Sequence, residues 1–265
     1  MNHHFTRAIL TVSFGTSVQE TRTKTLEAIE YAICSEFSDY AHERAWTSKQ
    51  LRAKVMETEG VKIHSVQEAL TQLKSAGVLK VYIQPTFVTN GGEYQKLIQE
   101  AAAFQSQFQA LHIGSPLLEN TEDFAPIIKA VTRSSAYQCP QADELLLFIG
   151  HGTTDGEDSL YEQLDQTFQS SASSNIRLKT MRSATSVDEI ISAAHERRAA
   201  KITLAPFMIA AGRHALKDIS GDDSDSWKSR LEQAGFQVRC ERKGLGEIPE
   251  IQQLFLHKLQ KLFHR

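Results

Sequence analysis

The chain has few cysteines, no long apolar run and no excess of one charge, and each shortage removes a class of protein. Three cysteines in 265 residues, Cys34, Cys139 and Cys240, stand far apart with no CxxC pair. That spacing argues against a thiolate zinc site or a redox dithiol, and so sparse a count suits a reducing compartment. No stretch approaches the roughly 20 apolar residues of a membrane helix. The opening MNHHFTRAILTVSFG holds only a short apolar run with no small-residue cleavage site, so a secretory leader is not expected. Lys plus Arg number 29 against 32 Asp plus Glu, a net charge of −3, and both signs are scattered. Without a basic stripe, a nucleic-acid partner is not expected. A Gly-rich phosphate loop is missing too, so no nucleotide cofactor is expected. A globular cytoplasmic protein without a membrane partner is the reading that remains, with its oligomeric state left open.

What is present is a regular alternation of short apolar runs and helix-length segments. AILTVSF (8–14) is β-branched and aromatic and stops at Gly15, the pattern of a buried parallel strand. VLKVYIQP (78–85), ALHIG (110–114), ELLLFIG (144–150), IRLKTM (176–181), KITLAPFMI (201–209) and FQVRC (236–240) repeat it. Between them lie amphipathic segments, two opened by the capping-box sequences SVQE at 65–68 and SVDE at 186–189. Strands separated by helices predict α/β layers around a largely parallel sheet.

The chain also repeats itself. LTVSFGTS (10–17) matches LLFIGHGTT (146–154), placing Phe14 opposite His151 and Gly15 opposite Gly152. KVYIQPTFVTNGGEY (80–94) matches KITLAPFMIAAGRHA (201–215), placing Glu93 opposite His214. The second offset also brings the two capping boxes together. Two similar Rossmann-like half-domains follow, 1–137 and 138–265. Ligands of open α/β sheets bind beyond the carboxyl ends of the strands, which is where Phe14, His151, Glu93 and His214 fall. A cleft between the halves is therefore the expected ligand site.

Each of these residues has a chemical reading and a plainer one. His151, in GHGTT, suits a metal ligand or general base, or equally a histidine that caps a strand end. His214, in AAGRHALKD, alone reads as a structural or surface histidine. Two imidazoles in repeat-related loops suit a borderline divalent metal such as cobalt, nickel or iron. Glu93, in NGGEY, suits a general base, or a first-turn glutamate favoured by the helix dipole. Tyr94 reads as core. The polar GDDSDS segment (221–226) reads best as a loop that caps the helix carrying Trp227.

Taken together, VSFGTS, NGGEY, GHG, GRHALKDISGDDSDSWKSRLEQAGF and GLGEIPEI resemble the anaerobic sirohydrochlorin cobaltochelatases over about residues 7–263. The resemblance implies the chelatase fold shared with ferrochelatase, a tetrapyrrole cleft and insertion of Co²⁺ into sirohydrochlorin in cobalamin synthesis. Fe²⁺ or Ni²⁺ insertion, or tetrapyrrole binding without catalysis, stand as alternatives. It implies His151 and His214 as metal ligands and Glu93 as a third catalytic residue. At the position of the family's glutamate ligand this chain has Arg182. Either the register shifts and Glu189 serves, or two histidines with Glu93 suffice, or Arg182 holds a ring carboxylate. Phe87, where relatives often have histidine, and Phe14 are expected to touch the macrocycle.

Overall fold

The central strand of each half explains its architecture. β1 (Arg7–Ser13) buries six of its seven residues, as a strand covered on both faces must. It lies between β2 (Ala41–Trp46) and β3 (Lys80–Pro85), with β4 (Ala110–Ile113) outside β3, giving the parallel order β2-β1-β3-β4. The connections are α1 (Gln19–Lys24), α2 (Leu26–Glu36), α3 (Lys49–Glu59), α4 (Val66–Ser75) and α5 (Gly92–Ala102). This computed structural model describes residues 5–134, 137, 141, 143–152, 158–171, 174–181 and 186–264, with only the backbone of Ser186 and of 213–215.

The second half repeats the plan. After α6 (Phe124–Arg133) come β5 (Glu144–Gly150), α7 (Ser159–Ser170), β6 (Ile176–Thr180), α8 (Ser186–Glu196), β7 (Lys201–Phe207), α9 (Arg213–Ser220), α10 (Trp227–Gln233) and β8 (Gln237–Cys240). Their parallel order is β6-β5-β7-β8, the order of the first sheet. The last helix is α11 (Pro249–Gln260).

Local chemistry sets the helix ends. Ser65 and Glu68 form the expected capping box of α4, and Ser226 caps α10 by accepting from the Ser229 amide at 3.1 Å. Each sheet packs an aliphatic face against its helices. Leu10, Val12 and Ile83 meet Leu70 and Leu97 in the first unit. Leu147, Ile149 and Leu204 meet Ile190 and Leu231 in the second. Asp165 of α7 pins edge strand β6: it accepts from Arg177 Nε and Nη2 at 2.9 and 3.0 Å and from the Leu178 amide at 2.8 Å.

Two features depart from the sequence reading. β2, sequence AHERAW, was not anticipated, because three consecutive polar residues mask its pattern; only Ala45 and Trp46 are buried. The boundary also moves. The compact units are 1–119 with 252–265, and 120–251, rather than 1–137 and 138–265. The C-terminus joins the first unit because Phe263 packs edge-on to Tyr82 at 4.7 Å and stacks on Tyr40 at 5.2 Å.

Beside β2, Arg44 reaches Glu27 at 3.1 Å and also Glu30, while Arg22 holds Glu59 at 2.5 Å. Burial outweighs the Arg44 contact and pushes the Glu30 carboxyl up to about 7, from 4.5. The folded chain therefore binds this proton more tightly than the unfolded chain. The resulting stabilisation is full below pH 4.5 and is lost as pH rises through about 7. Urea denaturation should show about 3 kcal/mol lost across that window from this group. Glu30→Gln should flatten the profile there; an unchanged pH slope in the variant would refute the assignment.

Candidate functional site

The repeat read from sequence has a structural counterpart, residue by residue. Phe14 follows β1 directly and His151 follows β5 directly. Both are exposed, Phe14 at 47%. Each is followed by a glycine in the left-handed region, Gly15 at φ +103° and Gly152 at φ +80°. The chain thus leaves each central strand in a turn that L side chains adopt only at a cost.

Glu93 and His214 correspond equally well. Each is the second residue of a helix, α5 or α9, and each helix has a glycine, Gly91 or Gly212, at its N-cap. The strands that lead to them, β3 and β7, lie next to the central strands. His151 directly follows β5, and the helix that carries His214 follows the adjacent strand β7, beyond the same end of one sheet. The His214 ring lies outside the described side chains.

The His151 ring is described. Its Nδ1 sits 3.2 Å from the Gly152 carbonyl oxygen. A carbonyl only accepts, so Nδ1 is the donor in this contact, and Nε2 is the ring nitrogen it leaves for a ligand. That is the tautomer a metal ligand needs. Glu93 has one carboxylate oxygen, Oε2, that is buried with no hydrogen-bond partner. Leaving such an atom unpaired costs about 1–3 kcal/mol, so the position stores unmet acceptor capacity.

The remaining expected residues divide. Phe87 is 8% exposed, lies in the first unit's core and meets Tyr94 edge-on at 6.4 Å. It is largely packed into that core, and the expected macrocycle contact has no support in its surroundings. Tyr94 is core as expected, and its hydroxyl donates to the Gly114 carbonyl at 2.9 Å. Arg182 lies outside the described residues. Glu189 pairs with Lys179 at 2.8 Å. Among the described residues, no cluster of three or more His, Cys, Asp or Glu side chains is placed to hold a metal ion. In the polar loop, Asp222 and Asp223 pair with Lys228 and Lys217 at 2.7 and 2.9 Å.

Sequence reasoning missed the residues that pack the strand-end turns. The ring of Trp46 lies where a Gly15 side chain would be, 2.5 Å from an ideal Cβ. Asp158 and Thr180 border Gly152 in the same way, each with an atom at 3.1 Å. Trp46 ends a strand that was not anticipated. No motif marks Asp158 or Thr180.

Two solved structures that share the fold are named as chelatases. The sirohydrochlorin chelatase SirB from Bacillus subtilis subspecies spizizenii, in complex with cobalt, aligns with TM-score 0.64 and 11% identity over 97% of this chain and 94% of that one. SirB from Bacillus subtilis with Fe³⁺ aligns with TM-score 0.68 and 12% identity over 97% and 95%. At such identity they define the class of fold only.

The family is defined by sequence. Residues 7–264 match the family model "Cobalt chelatase (CbiK)", and the chain belongs to that family. The sirohydrochlorin cobaltochelatase of Salmonella typhimurium (strain LT2) is 32% identical over 96% of both chains. The sirohydrochlorin cobaltochelatase CbiKC of Nitratidesulfovibrio vulgaris (strain Hildenborough) is 27% identical over 96% of this chain and 89% of its own. No helix among the described residues is long and apolar enough to cross a membrane.

The glycines give a graded expectation. Gly152→Ala should lose about 1–2 kcal/mol to backbone strain. Gly15→Ala should lose more, since its Cβ would also collide with Trp46. Urea denaturation of both variants tests the order, and equal losses would contradict it.

Proposed function

We propose that this chain inserts Co²⁺ into sirohydrochlorin, with His151 and His214 holding the incoming metal and Glu93 accepting protons. The observation that carries the reading is the placing of His151: it is exposed directly after the central strand, and its Nδ1 is engaged by the Gly152 carbonyl, which leaves Nε2 as the nitrogen to meet a metal. The family match supplies the reaction.

Insertion exchanges one divalent cation for two pyrrole N–H protons, so the site must hold a cation loosely and remove protons. Imidazole nitrogen suits both halves of the first task. It binds borderline divalent metals without adding negative charge that would retain them, and it takes Fe²⁺ and Ni²⁺ as well as Co²⁺, with affinity rising in the order Fe²⁺, Co²⁺, Ni²⁺. Glu93, with an acceptor oxygen lacking a partner, suits the second. Phe14 offers an exposed aromatic face beside its own strand end, fitted to a flat apolar ring. Arg182 is assigned to a ring carboxylate on charge alone. The reading places the protein in anaerobic cobalamin synthesis in the cytoplasm, without a nucleotide.

The test is a spectroscopic insertion assay with sirohydrochlorin and Co²⁺. His151→Ala should reduce kcat/KM by more than the ~10–100-fold that loss of a ligand's supporting residue costs. Near-normal turnover would refute the metal role. Glu93→Gln should lower kcat by about 10²–10⁴-fold while Co²⁺ binding by the ring-free protein persists. If kcat is retained, proton removal belongs to another group.

A further inference from the structure

We infer that Asp158, held by Thr180, is a positioning residue for His151: the pair forms a polar clamp that fixes the histidine's turn. The inference rests on the reading of His151 as a metal-holding residue.

The geometry is local. Thr180 ends β6 opposite Gly150, the last residue of β5. Its side chain is buried, and its hydroxyl donates to Asp158 Oδ2 at 2.9 Å. The Met181 amide donates to the Gly150 carbonyl at 3.0 Å, extending the β6 contact to the edge of the turn. A Cβ on Gly152 would lie 3.1 Å from Asp158 Oδ2 and 3.1 Å from Thr180 Cβ. The carboxylate and the threonine thus fill the space beside the residue whose carbonyl meets the His151 ring.

Asp158 also departs from its local role. It is the N-cap of α7, where an aspartate ordinarily accepts from an amide of the first turn. Here its side chain makes no such cap bond, and the Thr180 hydroxyl donates to it. A residue that breaks a local rule beside a candidate site is best explained by that site.

The first unit provides an internal control. There the residue opposite the last position of the central strand is Trp46, paired with Ser13. Its indole packs under Gly15. The turn after Phe14 is therefore clamped by an aromatic ring, whereas the turn after His151 is clamped by a hydroxyl and a carboxylate. Shape alone is met by the aromatic ring. The polar version occurs where the turn carries an imidazole, and its carboxylate adds negative potential that favours a cation there.

The experiment measures Co²⁺ binding to the ring-free protein by visible absorbance, together with separate KM values for Co²⁺ and sirohydrochlorin. Variants are Thr180→Val, Thr180→Ser, Asp158→Asn and His151→Ala. Thr180→Val and Asp158→Asn should weaken Co²⁺ binding and raise its KM by about tenfold or more, with the KM for sirohydrochlorin and the melting temperature little changed. Thr180→Ser, which keeps the hydroxyl, should restore most of the Co²⁺ affinity. Unchanged Co²⁺ binding in both Thr180→Val and Asp158→Asn, while His151→Ala loses it, would overturn the clamp but leave the metal role standing. So would a uniform loss of stability and of both KM values without rescue by serine. Co²⁺ binding that survives His151→Ala would overturn both readings.

Discussion

Everything at the candidate site depends on how the chain leaves each central strand. A strand buried on both faces is straight and apolar to its last residue, so the next residue must turn at once if it is to reach solvent. A left-handed glycine makes that turn: Gly15 after Phe14, Gly152 after His151. Because the turn is tight, the preceding side chain projects from the sheet's carboxyl end with little freedom of backbone. A flexible loop could carry the same residues, but it would lose more entropy on fixing them. The turn in turn requires something solid beneath the glycine, and the neighbouring strand supplies it in both units.

The repeat shows what the scaffold fixes and what it leaves open. Strand order, the glycine turns and the glycine-capped helices recur in both units. The chemistry at equivalent positions differs: an aromatic ring against an imidazole, a carboxylate against an imidazole. In the proposed reading, one backbone plan thus offers imidazole nitrogen for the metal from the second unit and a proton acceptor with an apolar face from the first.

The sequence made the layers legible because parallel strands buried on both faces read as unbroken apolar runs, and ELLLFIG coincides with β5 to the residue. The capping box at Ser65 and the cap at Ser226 were legible because capping is local chemistry. The correspondence of Glu93 with His214 was legible through the repeat. What stayed hidden depends on packing. β2 carries His42, Glu43 and Arg44 in sequence; Arg44 is met by Glu27 and Glu30 on α2 and Glu43 by His64 and Gln72. Phe87 was placed by analogy at a ring contact, but its depth depends on Tyr94 and the core around it. Asp158 and Thr180 are 22 residues apart, and no periodicity links a helix cap to the end of an edge strand.

Unpaired buried polar atoms point to the same end of the first sheet. Among the described residues five such side-chain atoms occur: Trp46 Nε1, Thr47 Oγ1, Arg52 Nε, Gln84 Oε1 and Glu93 Oε2. Trp46 and Thr47 lie at the end of β2, Gln84 one residue before the end of β3, and Arg52 and Glu93 in the helices that follow those strands. Each unpaired atom costs about 1–3 kcal/mol, so random placement through a core would be hard to sustain. Their confinement to the carboxyl ends of β2 and β3 instead fits the general rule that open α/β sheets take ligands there.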